Sequence, residues 1–313
     1  MRIAVLGGGG AMGGIFGGYL HRAGEDVTLV DVSQAAVATI NRDGLTIVEM
    51  DGSSAVFRVS ATTRPADVRP VDLIVNFVKC YHTEAAIRSA APMMNASTAI
   101  LTLQNGWGNA DRIAAVAGKE RVMVGLTYHS GTLLAPGRVH HTNPGATFAG
   151  ELDAPTSPRL EAAVAALNKA GVETTLSPRI LDEVWKKLAL NVCSLPTAAI
   201  LRFPAQRLIE HAGSLALMKG LLAELVAVAH AQGIAIDEAE RWQAITALLK
   251  RAVGARASML QDVDAKRETE IDVVNGAILA AGERFNIPTP LNASMVWLVK
   301  SLQEAYLAES GKS

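Results

Sequence analysis

Residues 3–20 read IAVLGGGGAMGGIFGGYL, an apolar run, four consecutive glycines, and more glycines at 13, 14, 17 and 18. Glycine is entropically costly to order, so it accumulates where backbone must turn sharply or approach a neighbour without a side chain between. Gly8, Gly10 and Gly13 meet the spacing Gly-x-Gly-x-x-Gly after a strand and at the opening of a helix. There the first glycine permits the tight turn, the second admits a ligand to the backbone, and the third lets helix and strand pack closely. Ala11 and Met12 fill the x positions at the helix start, where unpaired N–H groups and the helix dipole favour an anion. This pattern predicts a dinucleotide held by its pyrophosphate.

The second strand, VTLVD, ends on Asp31, 23 residues after Gly8, where a carboxylate can accept hydrogen bonds from a ribose 2′-OH. A carboxylate there repels a 2′-phosphate, so Asp31 favours NADH over NADPH, with Arg42 the basic residue that could compensate from a distance. The alternative role for Asp31 is to cap the helix that follows.

Further apolar strands in the first half, VDLIVNFVK, TAILTLQNG and RVMVGLTY, alternate with helix-like segments, as a parallel sheet covered on both faces requires. GLTIVEM with AVFRVSATT, and GRVHHTN with ATFAGEL around Asn143-Pro144-Gly145, read as antiparallel pairs added at the edge of that sheet. Beyond Ser177-Pro178 apolar residues recur at three- and four-residue intervals to the end. The expected architecture is therefore α/β: a Rossmann-type, doubly wound domain over 1–177 and an all-α substrate and catalytic domain over 178–313.

A formal net charge of −1 without runs of like charge recommends neither nucleic acid nor an anionic membrane as partner. Half of the residues are apolar, which suits a well-buried globule, and SLALMKGLLAELVAVAHAQG, broken by Lys219 and Glu224, reads as a buried helix rather than a span. Cys80 and Cys193 lack paired spacing, as expected of buried thiols in a reducing, cytoplasmic setting. The seven histidines suggest no metal site, because His140 and His141 are adjacent on a strand and face opposite ways. The apolar helices of the second half are consistent with a homodimer interface and equally with burial inside one chain.

Three groups could carry chemistry. Lys79 of NFVK and the Gln104-Asn105-Gly106 stretch of TLQNGWGN end successive strands, the edge at which open α/β sheets bind ligands. In VWKKLALN, Lys187 and Asn191 share a helical face beside Trp185 and Leu188. A lysine partly buried there has a depressed pKa and can donate a proton near neutrality, although most helical lysines are solvated surface groups. The polar segment RASMLQDVDAKRETEIDVVNG carries Ser258, Asp262, Glu268, Glu270, Asp272 and Asn275, one of whose acids could orient a lysine or a hydroxyl.

Together, IAVLGGGGAMGG, VKC, LQNG, PGRVHH, WKKLALN, SMLQDVDAKRETEIDVVNG and NIPTPLN make a nearly full-length resemblance to the ketopantoate reductase (2-dehydropantoate 2-reductase) family. The resemblance implies a Rossmann domain joined to a helical domain, an active site in the cleft between them, and reduction of ketopantoate to pantoate with NAD(P)H. It implies that Lys187 donates the proton, that Glu270 is its acidic partner, and that Ser258 binds the substrate carboxylate. It further places Asn105 near both nicotinamide and substrate, Asn191 on the substrate helix and Lys79 on the cofactor side.

Two departures from the family pattern stand out. The second asparagine usual after Asn191 is missing, the chain reading NVCSLPTAAI with Ser194 or Leu195 at that place, and Asp31 stands where NADPH-using relatives carry a basic residue. The expected activity is thus NAD(P)H-dependent reduction of a small 2-oxo acid. The alternatives are an NAD-preferring dehydrogenase of another 2-hydroxy acid, and a dinucleotide-binding regulator without turnover.

Overall fold

The computed structural model describes residues 1–154 and 156–309. They form two compact units, one of residues 1–104 and 109–180, the other of residues 105–108 and 181 onward. The sequence expects one break between 177 and 178. The chain stays with the first unit through Ile180, because Ser177 N–H donates to Ala149 O at 2.8 Å. It also lends residues 105–108 to the second unit, an excursion no linear boundary could express.

In the first unit, β1 (Arg2–Leu6), α1 (Ala11–Arg22) and β2 (Asp26–Val30) form the opening βαβ crossover, with β1 and β2 parallel. After α2 (Gln34–Asp43) come β3 (Leu45–Val48), β4 (Ser54–Phe57), β5 (Ser60–Thr62), β6 (Leu73–Asn76), α3 (Thr83–Ser89) and β7 (Ala99–Thr102). Then follow α4 (Asn109–Ala117), β8 (Val122–Thr127), β9 (Ser130–Ala135), β10 (Arg138–Asn143), β11 (Thr147–Glu151), α5 (Pro158–Lys169) and β12 (Thr174–Leu176). Eight of the described strands make one sheet in the order β12-β11-β8-β7-β6-β1-β2-β5, parallel except between β8 and β11. β6, β7 and β8 are buried on both faces, which explains their unbroken apolar sequences. The chain winds one way from β1 to β2 and the other way to β6, so the crevice beyond the carboxyl ends of β1 and β6 is the switch point of a Rossmann-type fold.

The remaining described strands form a second sheet, β4-β3-β10-β9. This corrects the expected hairpins. β3 and β4 do pair antiparallel, but apart from the main sheet, while β5 leaves them to run parallel to β2. β10 and β11 do not pair at all: β10 lies between β3 and β9, and β11 between β8 and β12. Period-two alternation says which side chains share a face but not which strand lies alongside.

Helix α1 touches both sheets, and all its residues from Gly13 to Leu20 are buried. The later glycines allow this: a Cβ on Gly17 would strike Leu29 of the main sheet, and one on Gly18 would sit 2.7 Å from Ile47 of the second. A polar chain completes the joint. Tyr19 O–H donates to Glu49 Oε1 at 2.7 Å, His141 Nδ1 lies 2.8 Å from that hydroxyl, and His141 Nε2 lies 2.9 Å from His129 Nδ1. Burial, with His141 beside it, pushes the His129 imidazole down to about 4, so it is neutral at physiological pH. Of the adjacent histidines, His140 is half-buried and His141 is buried as a structural link.

The second unit is helical: α6 (Ile180–Leu201, from Leu181 on), α7 (Ala212–Ala231), α8 (Glu238–Arg251), α9 (Ser258–Asp264), α10 (Asn275–Phe285) and α11 (Pro290–Glu309). Trp185, Leu188 and Val192 of α6 pack with Met218, Leu221 and Leu225 of α7 and Ile278 of α10. By length and composition α7 could cross a membrane, yet here it supplies core side chains and carries Glu224. That carboxylate accepts from Leu291 N–H at 2.8 Å, Asn292 N–H at 2.9 Å and Asn292 Nδ2 at 2.7 Å, capping the first turn of α11. Charge-assisted bonds of this kind are individually strong, so Glu224→Ala is expected to cost about 2 kcal/mol or more. Denaturant unfolding followed by tryptophan fluorescence checks this, and a loss below about 0.5 kcal/mol contradicts it.

Candidate active site

Of the residues expected to hold a dinucleotide, Gly8, Gly10, Ala11, Met12 and Gly13 lie where β1 gives way to α1 in the first unit, whereas Asn105 belongs to the second. The loop is tight: Gly10 N–H donates to Gly7 O at 3.0 Å, and a Cβ on Gly13 would lie 2.7 Å from the Gly7 carbonyl carbon. Gly8 packs on Leu29 of β2, where a Cβ would come within 2.6 Å of the leucine Cβ. The N-terminus of α1 has neither a side-chain cap nor an acid in its first turn. The backbone N–H groups of Ala11, Met12 and Gly13 thus face outward with no capping side chain of the helix's own, which fits a pyrophosphate.

Asp31 follows β2 and faces the glycine loop. Gly9 N–H donates to its Oδ2 and Ser33 N–H to its Oδ1, both at 2.9 Å. The helix cap is Ser33, whose Oγ accepts from Ala36 N–H at 3.2 Å, so Asp31 does not cap α2. Each oxygen keeps a further lone pair for a ribose hydroxyl. Arg42, the basic residue that might have offset Asp31, pairs with Asp43 at 2.6 Å on the surface.

Lys79 is half-buried in the turn after β6. That turn rests on a buried amide pair of which the sequence singles out only Gln104: Asn76 Nδ2 donates to Gln104 Oε1 at 2.7 Å, and Gln104 Nε2 donates to Val78 O at 2.7 Å and Thr83 Oγ1 at 2.8 Å. The only signal for it is a polar residue closing each of two apolar strands.

The second unit collects the other predicted residues. Lys187 of α6 donates through Nζ to Asn105 Oδ1 at 2.8 Å. Glu270, 8% exposed, precedes the single turn Ile271–Val273 and acts on Lys187 by its charge. Burial lowers the ammonium from its usual range to about 8, the Glu270 carboxylate opposing the shift. Asn191 lies one helical turn beyond Lys187 and is buried, whereas Ser258 is exposed at the start of α9. The 105–108 segment is secured by Trp107 N–H donating to Val273 O at 2.8 Å and by the Trp107 and Trp185 rings meeting edge to face at 5.2 Å. Lys187, Asn105 and Glu270 thus come from three separate stretches of chain to make a partly desolvated cation beside an acid, an arrangement able to deliver a proton near neutral pH.

The sequence matches the families described as Ketopantoate reductase PanE/ApbA over residues 3–154 and Ketopantoate reductase PanE/ApbA C terminal over 179–303. It is 31% identical to a 2-dehydropantoate 2-reductase of Halobacterium salinarum over 97% of this chain and 99% of the relative. It is 32% identical to one of Pyrococcus abyssi over 96% and 97%. Among solved structures it resembles D-mandelate dehydrogenase with NADH and anilino(oxo)acetate, with a TM-score of 0.91, 26% identity and coverage of 98% and 99%. A PanE/ApbA family ketopantoate reductase from Ralstonia eutropha gives a TM-score of 0.89 at 30% identity, with the same coverage. With a dinucleotide-type glycine loop in one unit and a desolvated lysine in the other, the chain belongs to the ketopantoate reductase family and is an NAD(P)-dependent oxidoreductase acting on CH–OH.

Proposed function

We propose that the chain reduces a 2-oxo acid, ketopantoate or a close analogue, to the 2-hydroxy acid, with Lys187 as proton donor. The observation that carries this reading is the lysine itself, lowered to about 8 by burial, hydrogen-bonded to Asn105 and accompanied by Glu270. Bound nicotinamide dinucleotide supplies the hydride for the carbonyl carbon. The developing alkoxide needs a positioned donor, and an ammonium titrating near 8 is charged at neutral pH yet gives up its proton readily. Asn105 Oδ1 takes one of the three N–H bonds of Lys187 and so fixes its direction. Glu270 favours the charged lysine before transfer, and Ser258 and Asn191 orient the substrate by hydrogen bonds. In the first unit, Gly8, Gly10, Ala11, Met12 and Gly13 take the pyrophosphate, Asp31 the ribose, and Lys79 lies at the cofactor edge.

A second reading, an NAD-preferring dehydrogenase of another 2-hydroxy acid, is favoured by three observations. Asp31 makes its hydrogen bonds to the Gly9 and Ser33 amides, and neither partner is a base able to receive a 2′-phosphate. Ser194, near the place of the family's second asparagine, spends its hydroxyl on Leu190 O at 2.7 Å, and the residue before Pro196 is the apolar Leu195. The mandelate dehydrogenase likeness adds a relative whose ligands are NADH and an anilino(oxo)acetate.

Following nicotinamide absorbance with ketopantoate and a panel of aliphatic and aromatic 2-oxo acids, with NADH and NADPH in parallel, separates the two readings. Oxidation of neither cofactor with any acid contradicts both. Lys187→Ala is expected to lower kcat by about 10²- to 10⁴-fold while dinucleotide affinity is retained. Turnover like that of the wild type would exclude Lys187 as donor. Asp31→Arg is expected to move the ratio of kcat/KM towards NADPH, and an unchanged ratio contradicts the ribose assignment.

A further inference from the structure

We propose that Asn275 is a positioning residue for the Lys187–Glu270 pair, its side chain replacing the helix hydrogen bond that Pro196 removes from α6. The inference rests on the reading of Lys187 as donor and Glu270 as its partner. In an α-helix the carbonyl of residue 192 accepts from the N–H of residue 196, and here residue 196 is a proline inside the helix. The Val192 carbonyl therefore loses its helical donor in a fully buried setting, where an unmet polar group is expensive. Asn275 Nδ2 donates to that oxygen at 3.2 Å.

Asn275 is itself fully buried, and Nδ2 also donates to Asn292 Oδ1 at 3.0 Å, so both amide protons are used. Asn292 Nδ2 in turn donates to Glu224 Oε2 at 2.7 Å, which anchors the chain of bonds to α7. Asn275 Oδ1 has no partner among the described residues. The side chain is thus used as a donor, and half of its polarity is buried at a cost to hold one proton on Val192 O.

The position of this tether gives it a role beyond stability. Asn275 opens α10 directly after the turn Ile271–Val273 that Glu270 precedes. Val192 adjoins Asn191 and lies on the same helix as Lys187. The same turn receives the Asn105 segment through Trp107 N–H on Val273 O, 2.8 Å. One short turn therefore follows Glu270 and binds the Asn105 stretch, and Asn275, two residues past it, joins it to the lysine helix.

The test compares Asn275→Ala, Pro196→Ala and the double variant in the full chain. Asn275→Ala is expected to lower kcat by about 10- to 100-fold, with less change in KM and unchanged dinucleotide affinity. The alkaline limb of the pH–rate profile should move to lower pH, because Glu270, the charged group that raises the Lys187 pKa, is held less firmly beside it. Pro196→Ala restores a helix N–H that competes for Val192 O, so it should lower kcat in the same direction, and the double variant should lose no more than Asn275→Ala alone. Losses that multiply, or a lowered melting temperature with kcat and alkaline limb as in the wild type, would overturn the proposal. If Asn275→Ala does not fold, Pro196→Ala decides by the same two readouts. Lys187→Ala separates the premises: full activity there removes the donor reading, whereas its loss beside an unaffected Asn275→Ala removes only the positioning role.

Discussion

Partial burial of one lysine ammonium organises the helical unit. Desolvation makes the charge costly, and the cost is tolerable because Asn105 accepts its hydrogen bond and Glu270 stands opposite. Neither partner is local: one comes from a loop some eighty residues earlier and the other from a turn some eighty residues later. Much of the surrounding architecture can be understood as the means of bringing those segments to α6. The Trp107 contacts with Val273 and Trp185 hold the first, and the amide of Asn275 on the Val192 carbonyl holds the second.

The α/β unit answers to a steric constraint instead. The helix after β1 has to lie against two sheets and still begin close enough to the loop for its amides to face an anion. Glycine at 13, 17 and 18 gives that clearance at one stroke, at the loop, at Leu29 and at Ile47. Asp31 then ties loop to strand through Gly9 N–H, so the carboxylate proposed for the ribose is already oriented by the backbone that would receive the phosphates.

Local features were readable from sequence and long-range ones largely were not. The strand–glycine–helix unit and the parallel apolar strands declare themselves within a few residues, and so did the helical second half. Alternation is blind to the neighbouring strand, so it suggests a β10–β11 hairpin that does not form and gives no sign of the second sheet. No periodicity marks residues 105–108 as belonging with helices that begin near residue 181. Lys187 was visible as a lysine flanked by apolar residues, but spacing alone could not separate it from a surface lysine; resemblance to the family singled it out. Pro196 went unremarked as a gap in the helix ladder of α6, and the Asn275 side chain that compensates for it lies 79 residues away and leaves no trace in the pattern.

With Lys187 as the proposed donor, a single desolvated lysine sets the protonation state needed for reduction. The most direct measurement is kcat/KM for the preferred 2-oxo acid as a function of pH with saturating dinucleotide, and for the 2-hydroxy acid in the reverse direction. A donor must be charged, so the rate of reduction should be level below about pH 8 and fall about tenfold per unit above it, while oxidation, which needs the neutral amine, should rise through the same region. Profiles that stay flat in both directions from about pH 7 to about pH 10 would exclude Lys187 as the group whose ionisation governs reduction.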